Sequence, residues 1–184
     1  MENQNLSLED LGYDPELEDF RNKNNLGAYD VGRVMSEHKE RYIVKTPAKE
    51  FEAEILGNLR YTAQAKSDFP AVGDWVAISE YDQDKVLIHA VFPRKSSIER
   101  QAPGKKGDKQ ILAANIDYAF IVQAVDRDFN VNRMERYLTI CHASKVNPSI
   151  LLTKIDLLEE GKVNEFVDLV RKRIDHVPVF TLSN

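Results

Sequence analysis

Residues 149–157 read Ser-Ile-Leu-Leu-Thr-Lys-Ile-Asp-Leu, an apolar run that ends in a lysine and an aspartate. Similar apolar runs at 118–125 and 177–182 flank it, and helical patterns lie between them at 132–143 and 159–174. The order strand, helix, strand, helix, strand with unalternating apolar strands predicts a parallel sheet covered on both faces. Three strands are few for such a sheet, so we expect an incomplete α/β domain.

The polar residues after the middle strand fit the pattern [NT]-K-x-D, which reads guanine in GTP-binding proteins. We expect them at the carboxyl end of a parallel strand, where ligands of open sheets bind. A carboxylate at Asp156 can accept both guanine donors, N1–H and the exocyclic amine. Lys154 can lay its stem over the base, Ile155 supplies backbone and packing, and Ser183 can offer its backbone N–H. A solvated Lys-x-Asp loop is the alternative interpretation of Thr153 to Asp156.

The phosphate side of a nucleotide site has no counterpart in the sequence. No G-x-x-x-x-G-K-[ST] motif occurs, and residues 104–107 resemble one only superficially. We therefore predict weak nucleotide binding and no catalytic residue in this chain, since phosphate and Mg²⁺ contacts supply most affinity and all hydrolysis. Asp126 and Asp128 are interpreted as a helix-capping loop. The four histidines lack metal-ligand spacing, so no metal ligand is predicted.

The first half of the chain has a different pattern, with five short runs rich in β-branched and aromatic residues between 30 and 91. Five strands over residues 28–94 predict a small β-barrel of the OB-fold type, with a five-stranded SH3-like barrel as the alternative. The predicted class is α+β with two domains, the barrel and the incomplete α/β domain at 113–184.

Charge is distributed unevenly between the remaining segments. The formal net charge of −5 equals that of residues 1–26 alone, within a leader (1–27) predicted to form two short helices. Residues 95–112 are basic and rich in glycine, which predicts an irregular linker.

A barrel beside a basic linker suits RNA. The candidate RNA-binding residues combine one aromatic side chain with eight cations: Arg60, Tyr61, Lys66, Arg94, Lys95, Arg100, Lys105, Lys106 and Lys109. The alternative for the segment 60–66 is a solvated loop with a packed tyrosine.

Composition excludes several classes of protein. Hydrophobic residues at 42% and charged residues at 30% are typical of a chain with a buried core. No apolar run is long enough to cross a bilayer, no signal peptide opens the chain, and the single cysteine, Cys141, excludes an intramolecular disulfide. We expect a cytoplasmic monomer without a membrane partner.

Six stretches in order give the chain a resemblance to the ribosome small subunit-dependent GTPase A (RsgA) family. They are Ala71-Val72-Gly73-Asp74-Trp75-Val76, residues 94–100, residues 110–117, Phe129-Asn130, Glu135-Arg136-Tyr137-Leu138 and residues 151–157. The resemblance begins near residue 28 and reaches the end of the chain.

The resemblance implies an OB-fold followed by a circularly permuted, P-loop-type GTPase domain, in which base recognition precedes the phosphate loop. It implies late maturation of the small ribosomal subunit, binding of its rRNA, and subunit-stimulated hydrolysis of GTP to GDP with Mg²⁺. Thr153, Lys154, Asp156 and Ser183 would then bind guanine, and Zn²⁺ would belong to a carboxyl-terminal region not found here. The chain resembles a truncated form that cannot hydrolyse GTP alone. The alternative is a non-enzymatic RNA-binding module with a degenerate GTPase half.

Overall fold

The computed structural model describes residues 6–101, 109–159 and 161–183. The chain divides between Asn115 and Ile116 into two compact units. The leader, the barrel and the basic segment therefore belong to the first unit, and the parallel sheet belongs to the second.

Five strands of the first unit form a closed barrel in the order β1-β2-β3-β5-β4. All neighbours are antiparallel except β3 and β5, which pair in parallel and complete the closure. This is the five-stranded arrangement of an OB-fold, so that prediction is confirmed, and the SH3-like alternative, built from antiparallel pairs, is excluded. The strands are β1 (Asp30–His38), β2 (Arg41–Lys45), β3 (Glu50–Ile55), β4 (Trp75–Asp82) and β5 (Lys85–Val91).

The barrel interior follows the two-residue period of its strands. In β3, Phe51, Ala53 and Ile55 are buried, while the glutamates between them are exposed. Between β3 and β4 the chain forms a short helix (Gly57–Thr62) and a 3₁₀ turn at Lys66–Asp68. The alternation leaves one face of each strand for the core and the other for solvent.

From residue 6 onward, where the structure describes it, the leader forms one helix rather than the two that were predicted. Ser7 and Asp10 exchange the hydrogen bonds of a capping box, with N···O distances of 2.9 and 3.1 Å. They cap only a turn, because Gly12, at φ +92°, reverses the chain before a helix can propagate. The helix follows at Pro15–Lys23, and Asp14 caps its first N–H groups as expected.

Aromatic packing attaches the leader to the barrel. Tyr13 and Leu17 are buried against Trp75 and Phe92, and the Tyr13 and Trp75 rings meet edge to face at 5.1 Å. Burial raises the pKa of Tyr13, whose hydroxyl also donates to Glu18 at 2.9 Å. These contacts make the leader an integral layer of the first unit.

The basic segment is paired, so the prediction of an irregular linker is wrong for its described residues. Strands β6 (Ser97–Gln101) and β7 (Lys109–Ala114) form an antiparallel hairpin. The glycines and lysines of the segment favour a loop, so the short β-type runs on either side of them were not predicted as strands. Lys105 and Lys106 lie outside the described residues.

A buried ion pair joins the segment after β5 to the turn before β4. The Asp74 side chain is 0% exposed and accepts from Arg94 Nε at 2.7 Å and from the Ala71 N–H at 2.8 Å. Arg94 also donates to the carbonyls of Ser67 at 2.6 Å and Phe69 at 2.9 Å. One guanidinium thereby holds the 3₁₀ turn and the start of β4 together.

Gly73 allows the hairpin to approach the barrel closely. Its φ is +90°, and a Cβ at this position would lie 2.0 Å from the carbonyl oxygen of Ala114. Its own carbonyl accepts from Asn115 Nδ2 at 3.0 Å, and the Ala114 N–H donates to Val72 at 2.8 Å. Only glycine fits this backbone-to-backbone contact.

The second unit is a three-stranded parallel sheet, as predicted, and its strand order is β10-β9-β8. Its elements in chain order are β8 (Tyr118–Ala124), a helix at Val131–Ala143, β9 (Asn147–Thr153), a helix at Lys162–Arg171 and β10 (Val179–Thr181). The core contains Met134 and Leu138 from the first helix, Val170 from the second, and Ile150 and Leu152 from β9.

The expectation that both faces of this sheet are covered is wrong for the described residues. Along β8, Ile121 and Gln123 are buried, while Tyr118, Phe120 and Val122 are exposed. The connections from β8 to β9 and from β9 to β10 both cross the sheet in the same direction. Because such βαβ connections are right-handed, both helices lie on the same face of the sheet. The apolar residues of β8 therefore alternate between a helix-covered face and an open one.

Replacing Arg94 by Met should lower the free energy of unfolding by about 3–5 kcal/mol, because the Asp74 carboxylate would stay buried without its cation. Urea unfolding followed by fluorescence of Trp75, the only tryptophan, measures this. Lys95→Met is the control: its side chain is 50% exposed and pairs with Asp14, so the loss should stay below about 1 kcal/mol. Equal small losses would contradict a structural role for the buried pair.

Replacing Gly73 by Ala should cost about 2–4 kcal/mol of unfolding free energy, since the added Cβ meets a backbone carbonyl and the φ is positive. The same urea titration applies. Gly57→Ala is the matched control, because nothing lies within 4 Å of a Cβ there. A Gly73→Ala protein as stable as Gly57→Ala would show that the hairpin does not contact this turn closely.

Candidate functional site

The carboxyl ends of the three parallel strands meet at one edge of the second unit. Hydrogen bonds continue past the strand ends: the Val125 N–H donates to Thr153 at 3.0 Å, and the Leu182 N–H donates to Leu152 at 2.8 Å. Lys154, Asp156 and Ser183 therefore lie at this shared edge, where the sequence placed them. We call this group, together with Asp126, the sheet-edge cluster.

The motif turns sharply where β9 ends. Thr153 is the last strand residue, and Lys154 takes the left-handed conformation at φ 61° and ψ 33°. A single 3₁₀ turn follows over Ile155–Leu157, and half-buried Ile155 packs on the core. Ile155 thus has the packing role expected of it, and Asp156 is exposed beside the strand ends.

The Asp156 carboxylate lies next to β10. Ser183 donates its hydroxyl to Asp156 Oδ1 at 3.3 Å. The sequence predicted a backbone N–H of Ser183 for the base, and the structure adds a contact from its side chain. Ser183 is therefore a partner of the carboxylate in this structure.

Lys154 extends in the opposite direction, toward β8. Its Nζ lies 3.0 Å from Asp126 Oδ2, and Asp126 Oδ1 accepts from the Asp128 N–H, also at 3.0 Å. The Asp128 hydrogen bond, together with Lys154, holds the pKa of Asp126 below its usual range. The helix is capped by Asn130, which accepts from the Arg133 N–H at 3.2 Å, so the interpretation of Asp126 and Asp128 as the cap is wrong.

Sequence reasoning missed the contact of Asp126 with the motif. The available signal was its position: it follows β8 by two residues and so shares an edge with Lys154. Both residues also line a groove of about 370 Å³ beside Arg133 and Tyr137.

The candidate RNA-binding residues separate into different roles. Tyr61 is 91% exposed, and Arg60 pairs with Glu40 at 2.6 Å on the surface. Arg94 differs from both: only 17% of its side chain is exposed, and its guanidinium donates to Asp74 and two carbonyls. The Arg100 and Lys109 side chains lie outside the described part of the structure.

Lys66 and Lys95 are exposed but differ in their partners. Lys95 pairs with Asp14 and, at 3.5 Å, with Glu16 of the leader, and the hydrogen bond to Asp14 raises the pKa of Lys95. Lys66 lines a groove of about 320 Å³ between the barrel and β7, next to Tyr42. Burial raises the pKa of Tyr42 to about 12.

The donors that zinc would need do not come together in the described residues. Cys141 is buried in its helix, where burial raises the pKa of its thiol, and no group of three or more His, Cys, Asp or Glu side chains converges in the described ranges. Across these ranges, too, no helix has the length and apolarity needed to span a membrane.

Solved structures with the same fold are known. The chain superposes on YjeQ from Thermotoga maritima with a TM-score of 0.63 at 18% identity, covering 83% of this chain and 51% of that one. It superposes on YloQ, described as a circularly permuted GTPase, with a TM-score of 0.60 at 19% identity, covering 85% and 52%. The predicted fold class, a five-stranded barrel followed by a parallel α/β sheet, is therefore confirmed, and it is the fold of these two proteins.

Curated relatives are similar over most of the chain. A small ribosomal subunit biogenesis GTPase RsgA 1 from Oceanobacillus iheyensis is 43% identical over 131 residues, which are 71% of this chain and 37% of the relative. An RsgA from Opitutus terrae is 35% identical over 191 aligned positions, covering 97% of this chain and 50% of the relative. The chain thus spans at most about half the length of these relatives.

The family described as RsgA GTPase matches residues 91–184, slightly more than half of the chain and the whole sheet-edge cluster. Together with the shared fold and the curated relatives, this match shows that the chain belongs to the RsgA GTPase family.

Proposed function

We propose that this chain contributes guanine recognition and RNA binding to a GTPase that acts in biogenesis of the small ribosomal subunit in the cytoplasm. The observation that carries the proposal is the exposed Asp156 carboxylate at the sheet edge, held beside Ser183. The relatives' descriptions as small ribosomal subunit biogenesis GTPases support the biological setting.

Base identity would be decided by hydrogen-bond pairing at Asp156. Guanine offers two parallel donors, whereas adenine presents no such pair and would leave the carboxylate desolvated and unsatisfied. An unmet charged acceptor of this kind costs about 1–3 kcal/mol or more. The Ser183 hydroxyl, at 3.3 Å from Oδ1, limits rotation of the carboxylate and so helps to keep both oxygens toward the base.

The other motif residues would shape the space that receives the guanine base beside Asp156, which we call the base slot. The left-handed turn at Lys154 lets its stem run along the sheet edge while its amine stays in contact with water and Asp126. Thr153 ends β9 and carries the turn, and Ile155 anchors it in the core. The slot therefore rests on a rigid element, as precise recognition requires.

These 184 residues would supply only some of the protein contacts that GTP and Mg²⁺ need. The base-reading residues fit guanosine, and no phosphate-loop motif occurs in the sequence. The phosphates with Mg²⁺ supply the hydrolytic chemistry when bound, so the chain by itself would recognise the base weakly and leave GTP intact.

Asp156→Asn should weaken binding of guanosine 5′-monophosphate by about 10-fold or more, because the amide offers one acceptor where guanine needs two. The monophosphate tests the base slot without relying on a phosphate loop. Binding to xanthosine 5′-monophosphate should improve, since its C2 carbonyl accepts from the new amide. Titrations followed by amide NMR shifts at the sheet edge give all affinities.

Asp175→Asn is the control for this experiment, because it makes the same change at an exposed aspartate that contacts His176. Unchanged guanosine monophosphate affinity in Asp156→Asn would remove Asp156 from the site. Equal affinity of the unaltered chain for adenosine monophosphate would contradict guanine recognition itself.

RNA binding would involve the barrel surface around the helix that contains Tyr61. A phenol ring exposed at 91% has no packing role, and it lies on the same short helix as Arg60, with Lys66 close behind in the chain. Aromatic rings beside cations are the usual platform for single-stranded bases. These residues support RNA binding more directly than Arg94, whose charge is used internally.

Tyr61→Ala should weaken binding to a single-stranded RNA oligonucleotide by about 5- to 100-fold through lost stacking, without changing stability. Fluorescence anisotropy with a labelled oligonucleotide measures the affinity. Tyr81→Ala is the matched control, a half-exposed tyrosine between the acidic residues Glu80 and Asp82. Equal affinities for both variants and the unaltered chain would overturn this part of the proposal.

The alternative, a non-enzymatic RNA-binding module, makes a different prediction for the small subunit. Co-sedimentation of the chain with small ribosomal subunits would then show salt-sensitive binding without any response to guanine nucleotides. A response to guanine but not adenine nucleotides favours the GTPase role.

A further inference from the structure

We infer that Asp126 is a positioning residue for guanine recognition, which holds the Lys154 side chain across the base slot. This inference rests on the proposed function, because it concerns the same slot. The inference is based on the contact between Lys154 Nζ and Asp126 Oδ2 at 3.0 Å, which joins the ends of the neighbouring strands β9 and β8.

The Asp126 carboxylate is itself held in place. Its Oδ1 accepts from the Asp128 N–H at 3.0 Å, and the buried Gln123 amide donates to the Asp128 carbonyl at 3.3 Å. The side chain of Asp126 is only 28% exposed, and its pKa lies below the usual range because of the Asp128 hydrogen bond and Lys154. A braced, ionised acceptor therefore faces the lysine.

The lysine needs such an acceptor because its side chain is otherwise unrestrained. A lysine side chain loses rotamer entropy when it is ordered, and the Lys154 side chain is half exposed. Fixing its amine at the end of β8 fixes the path of the four-carbon stem along the sheet edge. Part of the entropic cost of ordering the stem over a base is then met before the nucleotide arrives.

The sheet-edge cluster separates the two functional side chains of the motif. Asp156 lies toward β10, where Ser183 contacts it, and Lys154 lies toward β8, where Asp126 contacts it. One neighbouring strand thus holds the group that reads the base edge, and the other holds the group that covers the base face. Without Asp126, the Lys154 amine could instead approach the carboxylate of Asp156 and compete with guanine for it.

Replacing Asp126 by Asn isolates the proposed role. The amide oxygen can still accept from the Asp128 N–H, so the turn is kept, but the charge that holds Lys154 is lost. In the 184-residue chain, Asp126→Asn should weaken guanosine 5′-monophosphate binding about 2- to 5-fold, the range of an exposed ion pair. Glu135→Gln is the matched control, since it makes the same charge change in a surface ion pair with Arg173.

A double-mutant cycle with Lys154→Met shows whether Asp126 acts through the lysine. The inference predicts that Asp126→Asn weakens binding in the original chain and has no further effect once Lys154 is Met. An equal effect in both backgrounds, or no effect in either, overturns it. Equal affinity of the original chain for guanosine and adenosine monophosphates would instead reject the proposed function, and the positioning role with it.

A measurement without nucleotide keeps the inference independently testable. The carboxyl carbon of Asp126, followed by NMR through an acid titration, reports its pKa. Lys154→Met should raise that pKa toward the ordinary value for aspartate, because the hydrogen bond and the charge of Lys154 both lower it and both are lost. An unchanged pKa would show that the pair does not form and would overturn the inference.

Discussion

Parallel pairing of β9 with both β8 and β10 is the constraint on which the candidate site depends. Parallel strands bring all their carboxyl ends to one edge, so three segments far apart in sequence contribute to one cluster. The Val125-to-Thr153 and Leu182-to-Leu152 hydrogen bonds extend the pairing beyond the strands and set the spacing of the side chains. A slip in this register would separate Asp156 from Ser183, and Lys154 from Asp126, at the same time.

The first unit depends on a different kind of constraint, a buried charge with several partners. Asp74 and Arg94 join the turn before β4 to the segment after β5, and Gly73 next to them admits the hairpin. The Arg94 guanidinium is therefore occupied within the fold, because it already donates to a carboxylate and two carbonyls. Exposed Tyr61 and Lys66 remain available on the outside of the same unit.

Most of the architecture could be predicted because it is encoded locally. The β-branched runs of the barrel, the Asp14-Pro15 helix start and the apolar strands of the sheet each follow from neighbouring residues. The hairpin β6–β7 was missed because its glycines and lysines favour a loop, and pairing between distant partners overrides that preference. The open sheet face was missed because a uniformly apolar strand does not reveal how many helices cover it.

The sequence alone determined the barrel, the parallel sheet and the chemistry of Thr153-Lys154-Ile155-Asp156, since periodicity and residue type act over short distances. Only the tertiary structure decided which charges are partnered: Arg94 turns inward to Asp74, Lys95 to the leader, and Lys154 to Asp126. The physical reason is that an ion pair requires a separation of a few ångströms between residues up to 81 positions apart in the chain, and chain folding alone sets that distance.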